Sequence, residues 1–74
     1  MKHKWSKMTY DREGERWVVH LGGQTYGLHC GEWFEMRLGD MGVPCRMELD
    51  HDWYVVTRGA RFILRKRDTY EVEM

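Results

Sequence analysis

The stretch Arg46-Met-Glu-Leu-Asp-His-Asp-Trp-Tyr-Val-Val56 decides the fold class, because it can be read as a catalytic cluster or as a β-hairpin. Met47 and Leu49 alternate with Arg46, Glu48 and Asp50, and Val43 and Cys45 carry the same phase upstream. Period two over this length is a strand with one dry face. Trp53-Tyr-Val-Val-Thr57 is built from the aromatic and β-branched residues that pleated surfaces favour. Only Asp50-His51-Asp52 is left to connect them, and Asp side chains readily bond their own backbone two residues on. A general base oriented by a carboxylate, or a metal site, needs a concave and partly dry setting. A hairpin tip does not offer one, so the triplet reads as a turn.

The same period extends in both directions. Glu15-Arg-Trp-Val-Val-His20 is β-rich and stops at Gly22-Gly23; Tyr26, Leu28 and Cys30 then lie two apart. Phe34, Met36 and Leu38 alternate with Trp33, Glu35 and Arg37 up to a turn cluster at Gly39-Asp-Met-Gly42. Pro44 is expected at a strand's first residue, since it cannot donate to a ladder. After Gly59, Ala60, Phe62 and Leu64 alternate with Arg61, Ile63 and Arg65, and Tyr70 and Val72 form a short terminal strand. Residues 1–14 keep no sustained period and are expected to be a flexible N-terminal segment. The predicted fold is all-β: one domain over residues 15–74, a small barrel or highly curved sheet of five to six short antiparallel strands. Closure would limit the open edges that such a sheet must otherwise protect.

Seventy-four residues leave room for one core, and ten aromatic residues supply much of its area. No apolar run approaches the ~20 residues of a membrane span, and the N-terminus lacks a signal-peptide pattern. The expectation is a cytoplasmic protein without a membrane partner, its two cysteines, Cys30 and Cys45, remaining thiols. Formal charge is zero but unevenly spread. Residues 31–52 carry −4, residues 53–67 carry +5 and the last seven carry −3. A dedicated nonspecific DNA binder declares itself with a clear basic excess, which this chain lacks.

Chemistry-bearing candidates are sparse. His29, Cys30, Cys45 and His51 are ligand types for zinc, yet the cysteines are fifteen apart and neighbours on a strand point to opposite faces. Cys30 as a nucleophile would need His29 or His20 as its base, and nothing fixes either beside it. Gly-Gly-Gln-Thr-Tyr-Gly (22–27) lacks the lysine of a phosphate-binding loop. No enzyme activity, metal or cofactor is therefore expected. The basic run is the stronger signal: Arg61, Arg65 and Arg67 share a phase if the strand persists, with Arg58 and Lys66 nearby. Trp33 and Trp53 fall opposite Phe34 and Tyr54, which are read as core, so both tryptophans are expected at the surface. Exposed aromatics beside arginines suit either a protein partner or, as the alternative, single-stranded nucleic acid.

Three motifs also carry a resemblance. Leu28-His-Cys-Gly-Glu-Trp-Phe-Glu35, Cys45-Arg-Met-Glu48 and Trp53-Tyr54 resemble the pattern of a small bacterial family, domain of unknown function 5348. That pattern is a Gly followed by an apolar-Glu pair, an Arg-apolar-Glu triplet and a Trp-Tyr pair, and it covers residues 26–56 here. The resemblance implies an SH3-like barrel in a phage or mobile-element setting, with no enzyme activity and no cofactor. Carried over by position, it marks Gly31, Glu35, Arg46, Glu48, Trp53 and Tyr54, with Glu–Arg pairing across strands expected to set register. The N-terminal dozen residues and the stretch after Arg58 fall outside it. The expected function is a non-catalytic binding module, monomeric or weakly dimeric, an accessory or inhibitor protein presenting Trp33, Trp53 and the 58–67 cations to a protein partner.

Overall fold

Alternation does become strand, and more of it than the sequence suggests. The computed structural model describes residues 4–74. Its elements are β1 (Ser6–Asp11), β2 (Arg16–Leu21), β3 (Gln24–Gly27), β4 (Trp33–Leu38), β5 (Met41–Leu49), β6 (Trp53–Thr57), β7 (Ala60–Ile63) and β8 (Tyr70–Glu73). They form one antiparallel sheet in the order β3-β2-β1-β8-β4-β5-β6-β7. The class is all-β, as expected, but the strands number eight rather than five to six. The sheet is open, keeping β3 and β7 as edges.

The largest departure is at the N-terminus. Ser6–Asp11, expected to be flexible, lies inside the sheet as β1, paired to β2 on one side and β8 on the other. Only Met8 and Tyr10 announce it, and Met8 is fully buried. Residues 1–3 of the expected flexible segment lie outside the described residues.

One core serves the whole sheet. Met8, Trp17 and Val19 from β1 and β2 pack in the same cluster as Phe34, Met36, Cys45, Met47, Val55 and Val72 from the other strands. The sheet must curl on itself for both halves to share that interior. Trp17 is held edge-on between Tyr10 and Tyr70, with ring centroids 5.4 and 5.7 Å away. Such aromatic pairs add about 0.5–1.5 kcal/mol beyond the area they bury.

The curl is concentrated in β5. Met41–Arg46 pairs with β4, Arg46–Leu49 pairs with β6, and Arg46 alone is shared by both ladders. Pro44 is thus interior to β5 and not its first residue. The alternation of an antiparallel ladder explains why it is tolerated. Counted from the Leu38↔Met41 pair at the turn, Pro44 falls where the backbone N–H would point away from β4, and β6 has not yet begun to pair. Its carbonyl, on that same side, accepts from Thr57 Oγ1 at 2.8 Å.

If β1 is integral, deleting residues 1–11 should abolish the cooperative unfolding transition, and Met8→Ala should cost about 2–5 kcal/mol in denaturant unfolding. A flexible tail would leave the transition of both variants where it was.

Candidate functional site

Three surfaces collect the residues with functional potential: the outer face of β4–β7, and the two ends of the curled sheet. On the outer face the registers place Trp33, Arg46, Val56 and Arg61 side by side across four strands. Glu48, Tyr54 and Ile63 form the adjacent row. Arg46 reaches the Trp33 ring, 5.6 Å from its centroid, and ion-pairs with Glu48 on its own strand. The second Glu48 oxygen accepts from the Cys30 thiol at 3.4 Å. Arg61 lies over the Tyr54 ring at 4.2 Å. The expected cross-strand pairing is not what Arg46 makes, since Glu48 lies on its own strand; an Arg–Glu pair does cross strands between Arg37 of β4 and Glu71 of β8. Glu35 instead stands opposite Pro44 and Glu73 in its two ladders.

The phase of β6 is the reverse of the one expected. Val55 pairs with Met47 and is buried, so Trp53 falls on the core side and Tyr54 on the outer face. Trp53 packs against the core, and its Nε1 donates to the Glu15 carbonyl at 2.9 Å, tying β6 to the β1–β2 turn. It separates two shallow hollows of about 250 and 290 Å³ at that end. Trp33, by contrast, is 58% exposed, so the two tryptophans do not share one surface.

Gly31 is placed for a backbone reason. Its φ of +85° belongs to the left-handed region that side chains avoid. There its N–H donates to the Met47 carbonyl at 2.6 Å, while Met47 N–H donates to the Glu32 carbonyl at 2.9 Å. The link between β3 and β4 is thereby stitched onto β5. Glu32 locks it further, accepting from His29 N–H at 2.9 Å and from the Tyr26 hydroxyl at 2.8 Å. That hydrogen bond is the main reason the Tyr26 phenol titrates above its usual range.

The basic run does not continue as one strand. β7 ends at Ile63, and residues 64–69 form an irregular connection that carries Arg65, Lys66 and Arg67. Lys66 is tethered to Asp52 at 3.1 Å and lies 5.0 Å from the Tyr10 ring. Arg58 occupies the β6–β7 turn at φ +49°, followed by Gly59 at +79°. Two successive positive φ values make the hairpin turn in which Asn-Gly or Gly-Gly is favoured, so arginine is an uncomfortable occupant.

Sequence reading missed the opposite end. There an apolar cavity of about 470 Å³ lies among Val43, Cys45, Val55, Thr57, Phe62 and Leu64, with Leu38 and Ile63 at its mouth. Phe62, which shares its alternation phase with buried Leu64, is 53% exposed, and Ile63 is 72% exposed. The available signal was Phe62-Ile63 itself, since two large apolar neighbours on a strand cannot both be buried by one face. Asp50–Asp52 is the three-residue connection between Leu49 and Trp53, as expected. No cluster of metal-ligating side chains is found among the described residues. Nor does any helix among them reach the length and apolarity of a membrane span.

The family model for the domain of unknown function DUF5348 matches residues 6–74, taking in both β1 and the basic stretch. The chain belongs to this family. The family resemblance thus extends beyond residues 26–56 to nearly the whole chain. The fold is similar to the crystal structure of a protein from Ruminococcus gnavus, with a TM-score of 0.78 and 33% identity over 96% of this chain and 100% of that one. A comparison with curated proteins found no match.

Two outcomes test this geometry. Arg58→Asn should stabilise the fold by up to about 1 kcal/mol in denaturant unfolding by relieving the turn. Burial pushes the Cys45 thiol above its ordinary titration range, whereas Cys30 is exposed. The stability gained by keeping Cys45 neutral is present below that ordinary range and drains away as pH rises through the raised value. A thiol reagent should therefore label Cys30 at once and Cys45 only on unfolding, as mass spectrometry of the labelled chain would read.

Proposed function

We propose that this chain is a non-catalytic binding module, an SH3-like frame that docks a protein partner at the end where β4, β5, β6 and β7 open. The observation that carries this reading is the apolar cavity of about 470 Å³, with Leu38, Phe62 and Ile63 exposed around it. Side chains of this size left in water next to an apolar cavity are a reason to expect a partner. The strong curl of the sheet about one core supports the SH3-like description, with the additional strands widening the frame. A cytoplasmic setting fits one exposed and one buried free thiol. Work as an accessory or inhibitor protein of a phage or mobile element would need no more chemistry than such docking.

Single-stranded nucleic acid is the second reading, and the outer-face row in which exposed Trp33 and Arg61 flank half-buried Arg46 favours it. Against it, part of the nearby positive charge is compensated: Arg46 by Glu48, Arg37 by Glu71 and Lys66 by Asp52. If it held, Arg61→Ala with Arg65→Ala would weaken oligonucleotide binding and flatten its dependence on salt.

The experiment that tests the protein-docking reading is photo-crosslinking in the producing cell, with a photoreactive residue at Phe62 and, as control, at the far-turn residue Glu13. A discrete protein adduct from position 62 alone is expected. No adduct, or the same adducts from both positions, would remove the support for docking at this end.

A further inference from the structure

The edge strand beside the cavity is the feature that no role so far absorbs. Among the described residues β7 pairs only with β6. In a hairpin with a two-residue turn, the residues flanking the turn exchange both backbone bonds, and the ladder alternates from there. Thr57↔Ala60 and Val55↔Phe62 are then the bonded pairs, so Arg61 and Ile63 turn their N–H and C=O groups outward. Among the described residues, no turn or loop bond uses them. Natural edges are blunted by proline, short length or charge; β7 contains no proline, is four residues long and carries Arg61, a charge that deters a basic edge but not an acidic strand.

What surrounds this edge restricts what can add to it. Residues 58–67, Arg-Gly-Ala-Arg-Phe-Ile-Leu-Arg-Lys-Arg, hold five cations and no carboxylate. Lys66 is paired with Asp52, but the side chains of Arg58, Arg65 and Arg67 have no carboxylate partner among the described residues. A second copy pairing β7 to β7 would bring two such segments together, and like charges facing across strands disfavour that. Nucleic acid would satisfy the charge but not the outward amides and carbonyls, nor the apolar cavity behind them.

We propose that β7 is a docking edge for an extended acidic segment of a protein partner, which adds as a further antiparallel strand. Strand addition of this kind takes its affinity from main-chain bonds and its selectivity from alternate side chains. Side chains opposite Phe62 point to the cavity and are apolar; those opposite Arg61 fall on the outer face and are carboxylates. The left-handed Arg58 belongs to the same device, holding a cation at the hairpin tip where asparagine would relax the turn. This inference rests on the protein-docking reading and names the chemistry of the partner.

The test is a backbone amide NMR titration of the intact chain with a short acetylated peptide alternating glutamate and valine. Its lysine–valine counterpart and a single-stranded DNA oligonucleotide serve as controls. Expected are shifts confined to residues 60–63 and to the cavity residues Leu38 and Leu64, at least tenfold weaker binding for Arg61→Glu, and no comparable effect of either control. Ile63→Pro, which removes an outward N–H while sparing the bonds to β6, should abolish the shifts. Arg61→Glu is an exposed change that keeps the test valid should the proline variant misfold. Shifts elsewhere, equal response to the lysine peptide, response to DNA alone, or a dimer joined through β7 without peptide would each overturn strand addition. Peptide failure with the position-62 crosslink intact sinks this inference and spares the docking reading; loss of the crosslink as well sinks both.

Discussion

Everything in this fold depends on one strand serving two neighbours in turn. β5 pairs with β4 up to Arg46 and with β6 from Arg46 onward. A strand that stayed paired on both sides throughout would hold its neighbours to one twisted surface. By changing partner, β5 carries the direction of the sheet around the interior, so Met47 and Val55 meet Met8 and Trp17 in one cluster. Pro44 enforces the exchange: where its ring sits, no donor is available to recruit β6 early. Arg46, the pivot, is clamped on the outer face by Glu48 and the Trp33 ring. Arg46 and Glu48 thus meet at the bend, where their pairing fixes the outer face of β5.

The two ends of the curl differ because of the same exchange. At one end the Gly31 link bonds to Met47, and Trp53 reaches across to Glu15, so the ends of the strands are laced together. At the other end the first half of β5 has no β6 backbone partner, and Thr57 reaches over by donating its hydroxyl to the Pro44 carbonyl. The apolar cavity is what remains there. A partner at that end would complete a core that the chain's own residues leave unfinished, and burying apolar surface at about 25 cal/mol per Å² makes such completion favourable.

Legibility followed the strength of local pattern. Phe34 and Met36, and Val43, Cys45 and Met47, alternate cleanly with polar residues, and all are buried. The turn at Asp50–Asp52 was equally plain, because strand signals crowd it from both sides. β1 was hidden since Ser-Lys-Met-Thr-Tyr-Asp offers two apolar residues among polar ones, and its stability comes from neighbours distant in sequence. The phase of β6 was ambiguous locally, Trp53 and Tyr54 both being aromatic. Pairing of Val55 with buried Met47 resolves it, which is information held by two strands together. The site suffered most: Phe62 alternates correctly yet lies where the sheet has run out of cover.

β8 has a consequence for how the protein is made. It lies between β1 and β4, joining β3-β2-β1 to β4-β5-β6-β7. Each group can assemble as the chain leaves the ribosome, but each then shows a bare strand edge and an uncovered apolar face. Tyr70–Glu73 is synthesised after the other seven described strands, and it is the one that brings the groups together. The nascent chain therefore stays vulnerable to wrong strand partners until β8 emerges, and a variant lacking β8 would present two adhesive halves in place of one folded domain.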